Sequence, residues 1–123
     1  MFHKIMPVLR VADLERAIDW YVRLGFTLCW RAPNDGGGEN SMLEAGETSL
    51  MLSTGSHLGD KPAFTGTLYF ATSGVRELYE LVKDTVEMVW PLSEMDYGTL
   101  EFGIRDRDGY LLAFAEENRQ EAV

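Results

Sequence analysis

Histidine and cysteine are scarce in this chain. Two histidines, His3 and His57, and one cysteine, Cys29, are spread over 123 residues. A single cysteine excludes an internal disulfide and points to a reducing cytosol. Basic residues are few as well: 11 Lys and Arg stand against 20 Asp and Glu, a net charge of −9. That excludes nucleic acid as a natural partner, because a phosphate backbone needs a basic face. The same acidity attracts a cationic ligand at long range, and its plainer role is solubility. No run of about 18 apolar residues occurs, so no membrane-spanning helix is expected. The opening "MFHKIMPVLRVADLE" carries one Lys and turns charged early, unlike a secretory signal.

What is present can build a core. Hydrophobic residues make up 46% of the chain, enough for one domain over residues 1–123. Residues 3–11, "HKIMPVLRV", read as a strand, with Pro7 hinting at an edge or bulge. In "DLERAIDWYVRLG", Asp13 caps a helix, Leu14, Ala17, Ile18 and Tyr21 recur at helical spacing, and Gly25 ends it. Residues 26–32 read as a strand with Phe26, Leu28 and Trp30 on one face. "PNDGGG" is a loop, and "ENSMLEA" and "TSLMLST" form a hairpin about Gly46 and Glu47.

A polar linker, residues 55–62, precedes a second series. A strand over 63–73 leads to a helix over 74–84, with Val75, Leu78, Tyr79 and Val82 on one face. "VEMVW" is a short strand and "PLSEMDYG" a loop. "TLEFGIR" and "YLLAFAEE" are strands joined by "DRDG", a strong hairpin signal. Each half therefore reads β-α-β-β-β, as modules of about 1–55 and 63–118. The helix starts Asp13 and Gly74 lie 61 positions apart. Two such modules make an α+β fold, with a curved mixed sheet around a cleft.

Constellations for catalysis are weak. "IRDRDG" resembles part of a calcium loop, but with Gly109 at its sixth position Ala115 falls where a bidentate Glu is required. Asp106 and Asp108 are better read as turn residues that accept backbone N–H groups. Cys29, between Leu28 and Trp30, reads as buried packing rather than a nucleophile. "NDGGGEN" lacks the Lys and helix start of a phosphate loop. The pairs Glu44/Glu47 and Glu116/Glu117 lie in hairpins or tails, where carboxylates are usually solvated. Asp96 with Tyr97 lies near the cleft mouth without marking an acid or base.

"PVLRVADLERAIDWYVRLGFTL" resembles the opening of the vicinal oxygen chelate superfamily, and "YGTLEFGIRDRDGYLLAFAEE" resembles its closing hairpin. That superfamily includes glyoxalase I, extradiol dioxygenases and bleomycin resistance proteins, and the resemblance spans about residues 3–118. It implies four strand positions that in enzymes of the family hold a divalent metal through His and carboxylates. Here they are Met6, Met51, Thr67 and Ala113. A thioether is a weak ligand for such a metal, a hydroxyl a poor one, and Ala has no donor. The expectation is no metal, no cofactor and no catalytic residue.

What the resemblance leaves is an apolar and aromatic cleft. Residues sharing its inner face by strand alternation are Val8, Arg10, Tyr69 and Ala71 beside Met6 and Thr67, and Ser49, Ser53, Leu111 and Ala115 beside Met51 and Ala113. Candidate ligand-binding residues are Trp30, Tyr69, Trp90, Met95, Tyr97, Met6, Met51, Thr67, Ala113 and Arg10. For any one of them, plain core packing is the competing reading. The resemblance is nearest in character to the bleomycin resistance branch. It implies a cytoplasmic homodimer that sequesters a small organic ligand, a cationic or amphipathic antibiotic. The alternatives are a glyoxalase-like lyase, isomerase or dioxygenase relative, and a regulatory or inert domain.

Overall fold

In the computed structural model, residues 1–117 are described. The limits expected at 118 and 123 lie outside them. The chain divides into two compact units, the first Met1–Ala63 and the second starting at Phe64. The first holds β1 (Val8–Arg10), α1 (Leu14–Leu24), β2 (Thr27–Pro33), β3 (Glu39–Ala45) and β4 (Thr48–Ser53). The second holds β5 (Thr67–Ala71), α2 (Val75–Val82), β6 (Glu87–Glu94), β7 (Thr99–Arg105) and β8 (Leu111–Glu117). Each unit is β-α-β-β-β, an α+β architecture.

The sheets share one topology. Their orders are β1-β4-β3-β2 and β5-β8-β7-β6. The pairs β1/β4 and β5/β8 are parallel and the others antiparallel. The parallel pairs cannot be hairpins, because a parallel return needs a crossover.

Helix α1 forms where its caps and stripe dictate. Asp13 is extended at φ −134 and accepts the Arg16 N–H at 3.1 Å. Gly25, at φ 127, ends the helix, its N–H donating to the Tyr21 and Val22 carbonyls. Leu14, Ala17, Ile18, Tyr21 and Leu24 are buried, and the helix packs on β2 and β4. Beneath it lie Leu9, Leu43, Leu50 and Leu52, each worth about 1.5–3 kcal/mol when buried.

Helix α2 packs on β7 and β8 over an aromatic core. Phe102 lies 5.3 Å from Phe114, Phe114 5.0 Å from Phe70, and Tyr79 meets Phe102 edge-on at 5.2 Å. Its N-cap, Gly74, has no side chain to offer, and Glu116 on β8 supplies the acceptor instead, 3.0 Å from the Val75 N–H. Glu116 is thus a helix cap rather than a solvated tail carboxylate. The turn before β8 is a hairpin, as its Asp-Gly predicts. Asp106 is buried, and its Oδ1 accepts the N–H groups of Asp108 and Tyr110, both at 2.9 Å.

Four local expectations need correction. The first strand is only Val8–Arg10, although the Pro7 carbonyl still accepts the Met51 N–H; Pro7 has no N–H with which to extend the pairing. Cys29 is exposed, not buried. The register of β2 shifts between Leu28 and Trp30, so Trp30 does not share the face of Phe26 and Leu28; the extra residue, Cys29, turns it to the other side. Strand β6 runs on through Pro91 to Glu94 where a loop was expected. An irregular register between Trp90 and Ser93 accommodates the proline.

Candidate functional site

Side chains alternate across a strand, so pairing register assigns each residue to a face. Opposite α1, one row crosses the whole first sheet: Trp30, Met42, Met51 and Val8. Opposite α2, the equivalent row is Trp90, Gly103, Ala113 and Tyr69. Each row begins at a tryptophan next to a register shift and crosses a position at which the family resemblance implies a metal-binding carboxylate. The repeat thus extends to single residues.

The first unit places Met6, Arg10, Met51 and Trp30 on or beside this face. Trp30 is 42% exposed. Arg10 is tied to backbone: Nε donates to the Gly59 carbonyl at 3.1 Å and its guanidinium also donates to the Val11 carbonyl. Lys4 Nζ donates to Ser49 Oγ, and Ser53 Oγ to Asn40 Oδ1. Cys29 Sγ lies 3.4 Å from Glu44 Oε1. Desolvation first, then that hydrogen bond and the carboxylate's charge, push its thiol pKa up, which opposes a thiolate nucleophile.

In the second unit, the floor is Gly103, Ala113 and Ala115, all buried. Gly103 lets the Trp90 ring lie against the strand: a Cβ there would sit 2.6 Å from two ring carbons. Among the described residues, Trp90 Nε1 is the one buried side-chain polar atom without a hydrogen-bond partner. Tyr69 rises from β5, and Thr67 lies two residues before it on the same face.

The polar centre of this face is Glu101, which local pattern reading missed. It is 2% exposed. Its Oε1 accepts O–H bonds from Tyr69 at 2.7 Å, Tyr97 at 2.9 Å and Thr99 at 2.9 Å. Tyr97 comes from the Met95–Gly98 turn, closed by a Gly98 N–H to Met95 carbonyl bond. Both phenol pKa values are raised, first by the hydrogen bond to Glu101 and then by desolvation. They act as donors to the carboxylate, not as bases. A concavity of about 440 Å³ adjoins, lined by Tyr69, Ala71, Ser73, Thr99 and Ala115 among others. The signal for Glu101 was a charged residue inside the apolar strand "TLEFGIR". A buried carboxylate is costly without donors, and here they come from three positions.

The structure therefore gathers Tyr69, Tyr97, Trp90, Thr67 and Ala113 on or beside one face of the second unit. Met95 contributes to the turn that carries Tyr97. Trp30, Met6, Met51 and Arg10 belong to the corresponding face of the first unit.

Thr67, Ala113, Met6 and Met51 do not make a donor set for a divalent metal. Among the described residues no group of three or more His, Cys, Asp or Glu could hold a metal ion, and no helix is long and apolar enough to cross a membrane.

Comparison with known proteins fits this geometry. Residues 2–114 match the family model "Glyoxalase/Bleomycin resistance protein/Dioxygenase superfamily". No curated protein matches the chain. Among solved structures, TioX from Micromonospora sp. ML1 is 24% identical, with 94% of this chain and 99% of that one covered at a TM-score of 0.74. A glyoxylase/bleomycin resistance protein/dioxygenase domain from Frankia sp. EAN1pec is 19% identical, covering 98% and 96%, at 0.80. A glyoxalase I mutant from Zea mays is 22% identical over 94% of this chain but 48% of its own, at 0.76. At these identities the likeness is one of fold.

Proposed function

This chain belongs to the Glyoxalase/Bleomycin resistance protein/Dioxygenase superfamily, and on that premise we propose that it is a metal-independent binding protein that sequesters a small amphipathic organic cation, such as an antibiotic, as a cytoplasmic homodimer. The observation that carries this reading is the row Trp90, Gly103, Ala113 and Tyr69. It lays the Trp90 ring over Gly103 and sets Tyr69, an exposed ring, at the far end, an aromatic surface on which a flat apolar body can stack. The first unit repeats it with Trp30 and two adaptable methionines, Met42 and Met51. The absence of donors from the family's metal positions argues against metal-assisted chemistry on the residues' own account. The net charge of −9 favours a cation.

The test is titration with cationic antibiotics, bleomycin-type glycopeptides first, followed by tryptophan fluorescence and calorimetry. Saturable binding without turnover is expected. Trp90→Ala weakens it roughly tenfold or more, because a desolvated cation–π contact is worth up to about 2 kcal/mol. Elemental analysis after growth with Ni, Zn, Mn or Fe should find no stoichiometric metal, and light scattering should give twice the monomer mass. Tight metal together with turnover of an anionic thiol adduct would replace the binder with a glyoxalase-like enzyme.

A further inference from the structure

We propose that Tyr69, Tyr97 and Thr99, with Glu101 behind them, form a recognition site for an N–H-bearing organic cation, a primary ammonium or a guanidinium, in preference to a quaternary ammonium. This rests on the binder reading and specifies the group by which the ligand is held.

A hydroxyl has one donor and two acceptor lone pairs. All three hydroxyls spend their donor on the same oxygen, Glu101 Oε1. Apart from contacts among themselves, with Tyr69 also within hydrogen-bond reach of Thr99 and Tyr97, what they turn away from the carboxylate is lone pairs. The rim is thus acceptor-only, and the negative oxygen behind it polarises each hydroxyl further. A carboxylate or phosphate on a ligand finds no donor there. A neutral hydroxyl can donate one hydrogen bond. A primary ammonium has three N–H donors and a guanidinium five. A quaternary ammonium has charge but no N–H, and gains only ring contacts and long-range attraction.

Position supports the same assignment. Tyr69 and Tyr97 are 54% and 66% exposed while Glu101 is 2% exposed, so the phenols form the accessible surface. Tyr69 and Thr99 also line the adjoining concavity, and Glu117 brings a further carboxylate to its edge. Raised phenol pKa values keep the hydroxyls protonated, so the donors stay committed. Ala71 and Ala115 leave room beside the rim for the apolar body of a ligand.

The experiment uses the whole protein and four matched probes: 2-phenylethylammonium, its N,N,N-trimethyl analogue, 2-phenylethanol and 3-phenylpropionate. Affinities are read by amide chemical-shift titration, which also reports where each probe sits. The primary ammonium should bind at least fivefold more tightly than the trimethyl analogue and tenfold more tightly than the alcohol, with shifts at Tyr69, Thr99 and Ala115. Glu101→Gln frees the rim's hydroxyl orientations and should collapse both ratios to within twofold. Should that variant unfold, Tyr69→Phe, which removes one rim acceptor from an exposed position, should still lower the ammonium-to-alcohol ratio. Equal binding of the two ammonium probes on this face would overturn the N–H requirement and leave the binder reading standing. Absence of any shift on this face with all four probes would overturn both.

Discussion

Gly103→Ala tests whether the second sheet is built around Trp90. The added methyl would meet the Trp90 ring at 2.6, 2.6 and 2.7 Å, inside any real Cβ contact. Three ring atoms are involved, so no single flexible end can swing clear, and the ring must move as a body. Overpacking of this kind costs about 1–3 kcal/mol. Gly103 is not among the glycines with positive φ, so alanine fits its backbone and recovers about 0.5–1 kcal/mol of strand entropy. The net is a loss of about 1 kcal/mol, roughly 3–5 °C in melting temperature at this chain length. The decisive comparison is a double-mutant cycle by urea denaturation. In a Trp90→Leu background the clash is gone and only the entropy term remains, so Gly103→Ala should become stabilising by about 0.5–1 kcal/mol. The same change in stability in both backgrounds would refute the claim that the ring lies on Gly103.

Two further outcomes follow from named contacts. Tyr69 and Tyr97 hold their protons above the ordinary phenol value of 10; the unfolded chain releases them first, so the folded state binds more protons between the two values and stability falls as pH rises through that window. Urea midpoints should be level from pH 7 to about 9 and fall above about 10, and Glu101→Gln should lower both phenol values in a spectroscopic titration; unchanged phenols would refute the assigned cause. Asp106→Ala leaves the N–H groups of Asp108 and Tyr110 without their acceptor and should cost about 1–3 kcal/mol, whereas Asp106→Asn, which retains a carbonyl oxygen, should cost less than half as much; equal losses in denaturation would sink the turn argument.

Much of the fold was legible because its signals are local. Asp13 and Gly25 bound α1 through bonds that reach no further than four residues. Asp106, Gly109 and the strands around them name their own hairpin, and the 61-residue offset between Asp13 and Gly74 exposes the repeat. Alternation assigns Tyr69, Met51 and Ala113 to the face away from the helices because the strands carrying them are regular. Trp30 escaped that logic, since one extra residue at Cys29 reverses parity, and nothing in "TLCWRAP" marks where a bulge falls. Glu101 escaped it for a different reason. Its hydroxyl donors lie 32, 4 and 2 positions away, and the Tyr69 contact exists only because β5 pairs with β8 and β8 with β7. Glu116 capping Val75 from 41 residues away is the same kind of fact. Local sequence set the helices, turns and strand periods, because those depend on neighbours within a few bonds. Tertiary pairing alone brought the Tyr69 hydroxyl to a carboxylate that Tyr97 and Thr99 reach locally, because that contact depends on strands distant in the chain coming to lie side by side.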